Sequence, residues 1–284
     1  MKFGDYRIEI VPDCEFRLDG GAMFGVVPRV VWERKAPPDE LNRIRMNMNC
    51  LFIDTGRDRI LIETGIGEKW DAEHSERFGI SRRRPLAQTL FESTGYRPAD
   101  ISIVINTHLH FDHAGGNTIV DRESGLTVPQ FPNARYLVSQ SEFEAAENPT
   151  ERDRASYRPE NWRPLVESGQ LELMPDRYEA VEGLVLEQVR GHSATMQTVR
   201  LDRGGKTLYG FADLIPTRAH LPYAWVMGYD LYPLETLAAK KELLPQAIKE
   251  NWICLFYHDP ISPLFRIVSI DGKVGTEPVS DAAG

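Results

Sequence analysis

Short apolar runs rich in β-branched residues recur along the chain, and turn residues separate them. The run at 101–105 is typical of a buried strand, and the alternation at 6–11 predicts a half-buried one. Helical patterns lie between such runs, as at 85–94, which begins with Pro85 and is followed by Gly95. The strands come in two series, and no change of composition marks a linker. The pattern therefore predicts an α/β protein, with packed sheets and outer helices in a single domain over residues 1–284.

Two helices carry local signals at their ends. Ser139 precedes a helical segment and Glu142 follows three residues later, which predicts a capping box. Residues 234–244 are predicted to be helical, and we expect Pro245 to break or restart that helix.

Two segments are too apolar and too irregular to be plain connections. Residues 20–32 are apolar and rich in glycine, and a polar stretch continues to residue 48, so we predict a loop insertion at about 20–48. It could form a lid, a subunit interface or an extra hairpin on the core. Residues 214–233 are aromatic but interrupted by proline and glycine, which favours a second loop.

Composition narrows the range of partners. The chain has 284 residues, 42% hydrophobic and 26% charged, as in ordinary globular proteins. A net charge of −9 argues against a general nucleic-acid binder, and the run 82–84 is the one basic cluster. No apolar stretch has the length of a membrane span or signal peptide, and the three cysteines suit a reducing compartment. We therefore expect a cytoplasmic protein without membrane or nucleic-acid partners; a homodimer is the default for its assembly.

Four potential metal ligands follow the strand at 101–105 within six residues, namely His108, His110, Asp112 and His113. On an extended backbone the first two side chains face the same way, and a following turn lets the other two approach from a second direction. A histidine-rich surface loop is the alternative, but three of the seven histidines fall here. The stretch is therefore predicted to hold two cations side by side.

Three further polar residues lie at the ends of predicted strands, namely His192, Asp213 and His258. Strand ends are where open α/β structures build their sites. Taken singly, Asp213 could cap a helix and His258 could be a core histidine. Together with the first cluster, all three are expected to join one site.

The segment Thr107-His-Leu-His-Phe-Asp-His-Ala-Gly-Gly116 matches the His-x-His-x-Asp-His signature, so the chain resembles the metallo-β-lactamase superfamily. The separations of 21 residues from His192 to Asp213 and of 45 from there to His258 are similar to those of N-acyl-homoserine lactonases and methyl parathion hydrolase-like enzymes. The resemblance covers roughly residues 45–262. It implies a four-layer αβ/βα sandwich, with two mixed sheets and outer helices.

The resemblance also implies a ligand set for two divalent metal ions. Carried over, it assigns His108, His110 and His192 to the first ion, Asp112, His113 and His258 to the second, and Asp213 as a bridge. Such ligands suit zinc first, with iron, manganese or cobalt as alternatives. Asp54, in the turn Asp54-Thr-Gly56, is implied to orient a ligand histidine by accepting its hydrogen bond.

This ligand set predicts hydrolysis by a hydroxide shared between two ions, with Asp112 or Asp213 moving the proton. The favoured substrate is a small, fairly apolar ester or lactone. A phosphoester or phosphotriester hydrolase, a nuclease, a redox protein and a non-hydrolytic metal-binding protein are the alternatives.

Substrate contacts are expected from the two irregular segments. Lactonases of this type contact the substrate carbonyl with a Tyr where this chain has Pro216. The candidate replacements and wall residues are His220, Tyr223, Trp225, Tyr229, Phe24 and Trp32. For each of them, ordinary aromatic packing is the alternative.

Overall fold

The computed structural model describes residues 1–279. The strands are β1 (Lys2–Phe3), β2 (Tyr6–Asp19), β3 (Arg43–Asp54), β4 (Arg59–Ile62), β5 (Ile103–Ile105), β6 (Thr118–Val120), β7 (Thr127–Pro129), β8 (Arg135–Ser139), β9 (Leu171–Met174), β10 (Arg177–Val181), β11 (Leu184–Gln188), β12 (Gln197–Arg203), β13 (Lys206–Gly210), β14 (Ile253–Leu255), β15 (Leu264–Ile270) and β16 (Lys273–Pro278). The α-helices are α1 (Gly20–Phe24), α2 (Arg29–Trp32), α3 (Ala72–Arg77), α4 (Leu86–Thr94), α5 (Phe111–Ala114), α6 (Gln140–Glu147), α7 (Arg163–Glu167) and α8 (Pro233–Lys249). Each helix in this part of the chain is too short or too polar to span a bilayer.

The strands form two large sheets. The first has the order β1-β2-β3-β4-β5-β8-β9 and the second runs from β10 to β16 in sequence order, while β6 and β7 form a separate ribbon. The pairs β4–β5, β5–β8, β8–β9 and β13–β14 are parallel, whereas the remaining pairs are antiparallel. The two mixed sheets predicted from the resemblance are thus confirmed.

Three apolar clusters define the layers. Ile60 and Ile105 of the first sheet share a buried cluster with Leu201 and Leu208 of the second, so these faces pack on each other. The opposite face of the first sheet packs on α4. The outer face of the second sheet packs on α8, where Leu244 contributes to the buried cluster. This is the αβ/βα order of a four-layer sandwich.

Strand direction brings the predicted ligands to one edge. Because β4 and β5 are parallel, Ile62 and Ile105 end beside each other, and the chain continues into His108. In the second sheet β13 and β14 are parallel, so the segments leading to Asp213 and His258 leave the sheet together. The two edges meet, which assembles the site from both sheets.

The predicted insertion is shorter and more regular than a loop of residues 20–48. Strand β3 already begins at Arg43, paired with Asp19 of β2, because these strands form one long antiparallel hairpin. Residues 20–42 connect its ends and contain α1 and α2. The side chain of Asp19 caps the start of α1 by accepting a hydrogen bond from Ala22 N–H.

The expectation that Pro245 interrupts its helix is wrong, because α8 runs through it from Pro233 to Lys249. Proline removes one helical hydrogen bond and crowds the preceding turn. Leu244 and Ala247 are fully buried on either side of it. Their packing against the second sheet offsets the local cost.

An aromatic cluster fastens the insertion to the second irregular segment. The Phe24 ring lies between His220, with centroids 4.6 Å apart, and Trp32, at 5.1 Å. His220 Nε2 donates to Met23 O at 2.9 Å, so its Nδ1 accepts from the Thr217 hydroxyl at 2.8 Å. The neutral imidazole therefore satisfies both of its nitrogens.

His220 should make stability depend on pH. Burial lowers the pKa of His220 from its ordinary value to about 4. Between that value and 6.5 the unfolded chain binds the proton and the folded one does not, so stability falls as pH falls through this window. From about pH 7 to about pH 5 this residue should remove about 2 kcal/mol of unfolding free energy.

The measurement compares denaturant unfolding of the wild-type chain with His220→Gln at both pH values. Glutamine can keep a donor and an acceptor but does not titrate. The variant should lose less stability on acidification. Equal losses of unfolding free energy in the two proteins would refute the assignment of this pH dependence to His220.

Candidate active site

The first ligand stretch changes direction at His110. His108 lies in the extended segment after β5, His110 is the N-cap residue of α5, and Asp112 and His113 lie within that short helix. The strand end and the helical turn thus present their side chains from two directions, as the sequence indicated. All four are at least nine-tenths buried.

The seven predicted ligands form two adjoining groups. The first contains His108, His110 and His192; the second contains Asp112, His113, Asp213 and His258; within each group the donor atoms lie within 4.8 Å of one another. In the first group His110 Nδ1 lies 3.1 Å from His192 Nε2. In the second, His113 Nε2 lies 3.2 Å from His258 Nε2.

Asp213 faces both groups. Its Oδ1 lies 2.9 Å from His258 Nε2 and 3.2 Å from His113 Nε2. Its Oδ2 lies 3.5 Å from His192 Nε2. Although burial opposes the charge, the three imidazoles hold the pKa of Asp213 well below its usual range. An ionised carboxylate therefore lies between the two histidine sets.

The donor chemistry fits two divalent cations. Burial holds the pKa of His108 and His110 well below the ordinary value, so both rings are neutral, as ligation requires. His108 Nε2 is fully buried and has no hydrogen-bond partner among residues 1–279. Close pairs of imidazole nitrogens cannot all be satisfied by hydrogen bonds, whereas a shared cation satisfies their lone pairs.

Polar contacts behind the ligands fix the rings. His192 Nδ1 lies 3.1 Å from Asp230 Oδ1, and Asp230 in turn accepts from the Thr236 hydroxyl. His258 Nδ1 donates to Asn47 O at 3.0 Å. Each contact turns Nε2 toward the centre of its group.

The prediction that Asp54 orients a ligand histidine is wrong. Its carboxylate accepts from Gly56 N–H and from the Tyr96 hydroxyl. Strand β3 is antiparallel to β4, so β3 ends at the opposite edge of the sheet from the ligands.

Glu63, which no sequence motif marks as functional, lies beside a ligand histidine, the position predicted for Asp54. It follows β4, the strand parallel to β5, and its Oε1 is 3.3 Å from His113 Nδ1. The same oxygen accepts from the backbone and hydroxyl of Thr107. The triplet Glu63-Thr-Gly65 repeats the pattern of Asp54-Thr-Gly56, and strand direction distinguishes the two.

A cavity of about 360 Å³ opens beside both groups and is bordered by His110, Asp112, His192, Asp213 and His258. Its apolar wall contains Leu18, Met23, Met46, Phe78, Phe111 and Met227. These residues come from separate elements, so no local periodicity marks them in the sequence. Arg152, Asp153 and Tyr229 add polar groups to the lining.

Of the six predicted substrate contacts, Tyr229 lines this cavity. The described lining of the cavity does not include Phe24, Trp32 or His220, so the prediction that they contact substrate is wrong. Their rings stack on one another instead of facing the cavity.

The remaining two predicted contacts lie in other surroundings. Trp225 borders a separate groove with Leu221 and Pro222. Tyr223 packs against the outer cluster of the second sheet. Packing, the alternative for these aromatics, explains their positions better than substrate contact.

A buried cluster of imidazoles and carboxylates at the joined edges of two mixed sheets defines a metal-dependent hydrolase of the αβ/βα sandwich class. The model of the metallo-beta-lactamase superfamily matches residues 44–247. The chain belongs to this superfamily.

Relatives of known sequence support the lactonase-like group. An N-acyl homoserine lactonase of Bacillus cereus is 27% identical over 77% of this chain and 83% of its own. A probable metallo-hydrolase of Mycobacterium tuberculosis is 28% identical over 73% of this chain and 71% of its own.

Solved structures agree on the architecture. A probable metal-dependent hydrolase from Staphylococcus aureus has a TM-score of 0.88 and 30% identity, covering 97% of this chain and 98% of its own. The dizinc quorum-quenching lactonase AidC has a TM-score of 0.80 at 20% identity, covering 99% and 96%, and shows the shared fold.

Replacing Glu63 should weaken metal binding, whereas replacing Asp54 should not. Glu63→Gln removes the charge beside His113, and loss of such an outer contact typically costs about 10–100-fold in metal affinity. Asp54→Asn changes a carboxylate at the opposite edge of the same sheet. Competition with a chromophoric chelator measures both affinities.

Thermal unfolding of both variants provides the control for folding. Equal weakening in the two variants, or unchanged affinity in Glu63→Gln, would contradict the assignment of Glu63.

Proposed function

We propose that this chain is a dinuclear metal-dependent hydrolase that cleaves a small, fairly apolar ester, with lactones the first expectation. The observation that carries the proposal is the position of Asp213, whose two oxygens face the two donor groups beside an apolar cavity. The lactonase relatives support the choice of ester chemistry.

The proposed ligands divide as the two groups do, with Asp213 between them. When bound, two divalent ions, zinc first and iron, manganese or cobalt as alternatives, would polarise the substrate carbonyl and acidify water. Asp112 borders the cavity, with Oδ2 3.6 Å from His258 Nε2. The carboxylate of Asp112, or that of Asp213, would accept the proton that this water loses and deliver it to the leaving oxygen of the ester.

The cavity wall selects for apolar substituents. Met23, Met46 and Met227 line it, and methionine side chains adapt to differently shaped apolar groups. The long, charged backbone of a nucleic acid fits such a wall poorly, which counts against the nuclease alternative. A phosphotriester shares the charge pattern of an ester and remains the alternative substrate.

Tyr229 is the proposed substitute for the lactonase tyrosine that this chain lacks at Pro216. Its side chain lines the cavity. Tyr229 is 39% exposed, and its partial desolvation raises the pKa to about 12, so its hydroxyl keeps its proton and can donate to a substrate oxygen. A hydrogen bond formed more strongly in the transition state would raise the rate of cleavage.

Metal-loaded protein should hydrolyse at least one member of a panel of lactones, aryl esters and phosphotriesters, and a chelator should abolish the activity. Asp213→Asn should remove it, because the amide lacks the charge that serves both groups. Tyr229→Phe should lower kcat/KM by about tenfold, the value of one hydrogen bond of about 1.4 kcal/mol.

Tyr223→Phe is the matched control, because it removes a hydroxyl from the same segment outside the cavity. Absence of metal-dependent turnover on the whole panel would sink the proposal. Preferential turnover of phosphotriesters would replace the substrate class and leave the site in place.

Three expectations stay predictions. They are the homodimer, the lack of a nucleic-acid partner and the cytoplasmic location. The three cysteines are free and buried, which is consistent with a reducing compartment.

A further inference from the structure

Glu142 does not complete the capping box that the sequence predicts. Ser139 Oγ accepts the Glu142 N–H bond at 3.2 Å, so the first half of the motif is present. In the second half the glutamate would return to the backbone N–H group of Ser139. Ser139 is the last residue of β8 and pairs with β9, and the Glu142 carboxylate turns toward the active site instead.

The carboxylate accepts hydrogen bonds from three separate segments. Leu109 N–H, between His108 and His110, donates to Oε1 at 2.7 Å. The Tyr157 hydroxyl donates to the same oxygen at 3.1 Å. The Thr195 hydroxyl, three residues after His192, donates to Oε2.

Tyr157 extends this network to a ligand ring. Its aromatic ring lies 4.8 Å from that of His110, in an edge-to-face arrangement. The backbones of the same two residues form an isolated antiparallel bridge. Tyr157 thus links Glu142 to His110 of the first donor group in two ways, by the contact of the two rings and by the backbone bridge.

The two ligand-bearing segments come from different sheets. His108 and His110 follow β5 of the first sheet, whereas His192 and Thr195 lie between β11 and β12 of the second. One backbone bond, from Gln197 N–H to Thr107 O at 2.9 Å, also joins them. Glu142 adds a second link between these segments, from Leu109 to Thr195, which is nearer to His192 along the chain than Gln197 is.

Stability alone gives a poor reason for this residue. Glu142 is fully buried, and its contacts come from neutral donors rather than from a cation. Burial raises the pKa of its carboxyl group to about 7, against the hydrogen bonds that lower it. A buried carboxylate costs free energy that an apolar residue would avoid.

We propose that Glu142 is a positioning residue that holds the His108–His110 segment and the His192–Thr195 segment at the separation where their three imidazoles converge on one ion. The inference rests on the proposed function for the existence of that ion. The second group has its own supports, Glu63 for His113 and Asn47 for His258. Loss of Glu142 should therefore affect the first ion selectively.

Two substitutions separate geometry from charge. In Glu142→Gln the amide oxygen can still accept from Leu109 and Tyr157, and the amide nitrogen can donate to the Thr195 hydroxyl. Glu142→Leu has a similar volume but accepts nothing. Glutamine should therefore preserve the first site, whereas leucine should weaken it.

Cobalt titration of the metal-free chain tests this, with the visible d–d absorption reporting the coordination of each ion. The wild-type chain and Glu142→Gln should fill both sites with similar affinity. In Glu142→Leu the first ion should bind about 10–100-fold more weakly, which splits the titration into two steps. The ion that binds more tightly should then show the absorption expected for cobalt held by the second group of ligands.

Glu147→Leu is the matched control on the same helix, because its carboxylate accepts from Trp162 Nε1 at 2.6 Å instead of from the ligand segments. It should titrate like the wild type. Unchanged binding in Glu142→Leu, or equal weakening of both ions in a folded variant, would overturn the proposal.

If Glu142→Leu does not fold, Thr195→Val decides, because it removes one donor and keeps the side-chain volume. It should weaken the first ion by a smaller factor, and unchanged binding would refute the inference. These readouts do not use turnover. A wild-type chain that binds two cobalt ions and hydrolyses nothing would disprove the proposed function and leave the role of Glu142 to stand or fall on the titration.

Discussion

The rest of the structure depends on one constraint: the buried carboxylate of Asp213 must be neutralised by side chains from both sheets. Asp213 lies at 2.9–3.5 Å from imidazoles of His113, His192 and His258, and all four residues are more than nine-tenths buried. In a medium of low polarity such charges must be paired or shared with cations. Neither sheet supplies the full set, so the faces that pack on each other also align the edges that hold the ligands.

Two of the five non-glycine residues with positive φ in the described part of the chain lie where this alignment is achieved. Ala212, directly before Asp213, has φ of 48°, and Glu63 has φ of 65°. Left-handed backbone costs of order 1 kcal/mol or more for residues other than glycine. At Glu63 the contacts to Thr107 and His113 offset that cost, and at Ala212 the burial of the residue and its neighbours does so. The strained turns direct the two carboxylates into the joined edge.

The sequence predicts those features that local chemistry specifies. The His108 to His113 stretch identifies a ligand set because a strand end and a turn fix the directions of its side chains. Asp54 and Glu63 follow similar apolar strands within similar triplets, and only the direction of each strand in the sheet separates them. Glu142 matches a local capping signal, yet its carboxylate is used at long range. Such errors arise where tertiary contacts choose between equivalent local patterns.

The aromatic residues of the two irregular segments follow the same logic. An apolar, glycine-rich segment near a site suggests substrate contact, but its large rings are also the best material for fastening a long insertion. Phe24 stacks between His220 and Trp32, so the rings that the sequence marks most strongly are removed from the cavity. The wall is left to flexible methionines, to Phe78 and Phe111 from other segments, and to strand residues such as Leu18.

Chemistry and selectivity are therefore carried by different parts of the molecule. The ligands sit on strand ends and on the short helix α5, held by sheet hydrogen bonds and by buried contacts behind each ring. The wall beside Tyr229 is held by the aromatic cluster, by the Gly228 N–H bond to Ala22 O at 2.8 Å, and by Lys240, which donates to three carbonyl groups of the 214–233 segment. Substitutions in the wall can thus change which substrate fits without moving a ligand. Two wall residues are exceptions. Met46 precedes Asn47, which supports His258, on β3, and Phe111 lies between His110 and Asp112, so their displacement disturbs wall and ligands together.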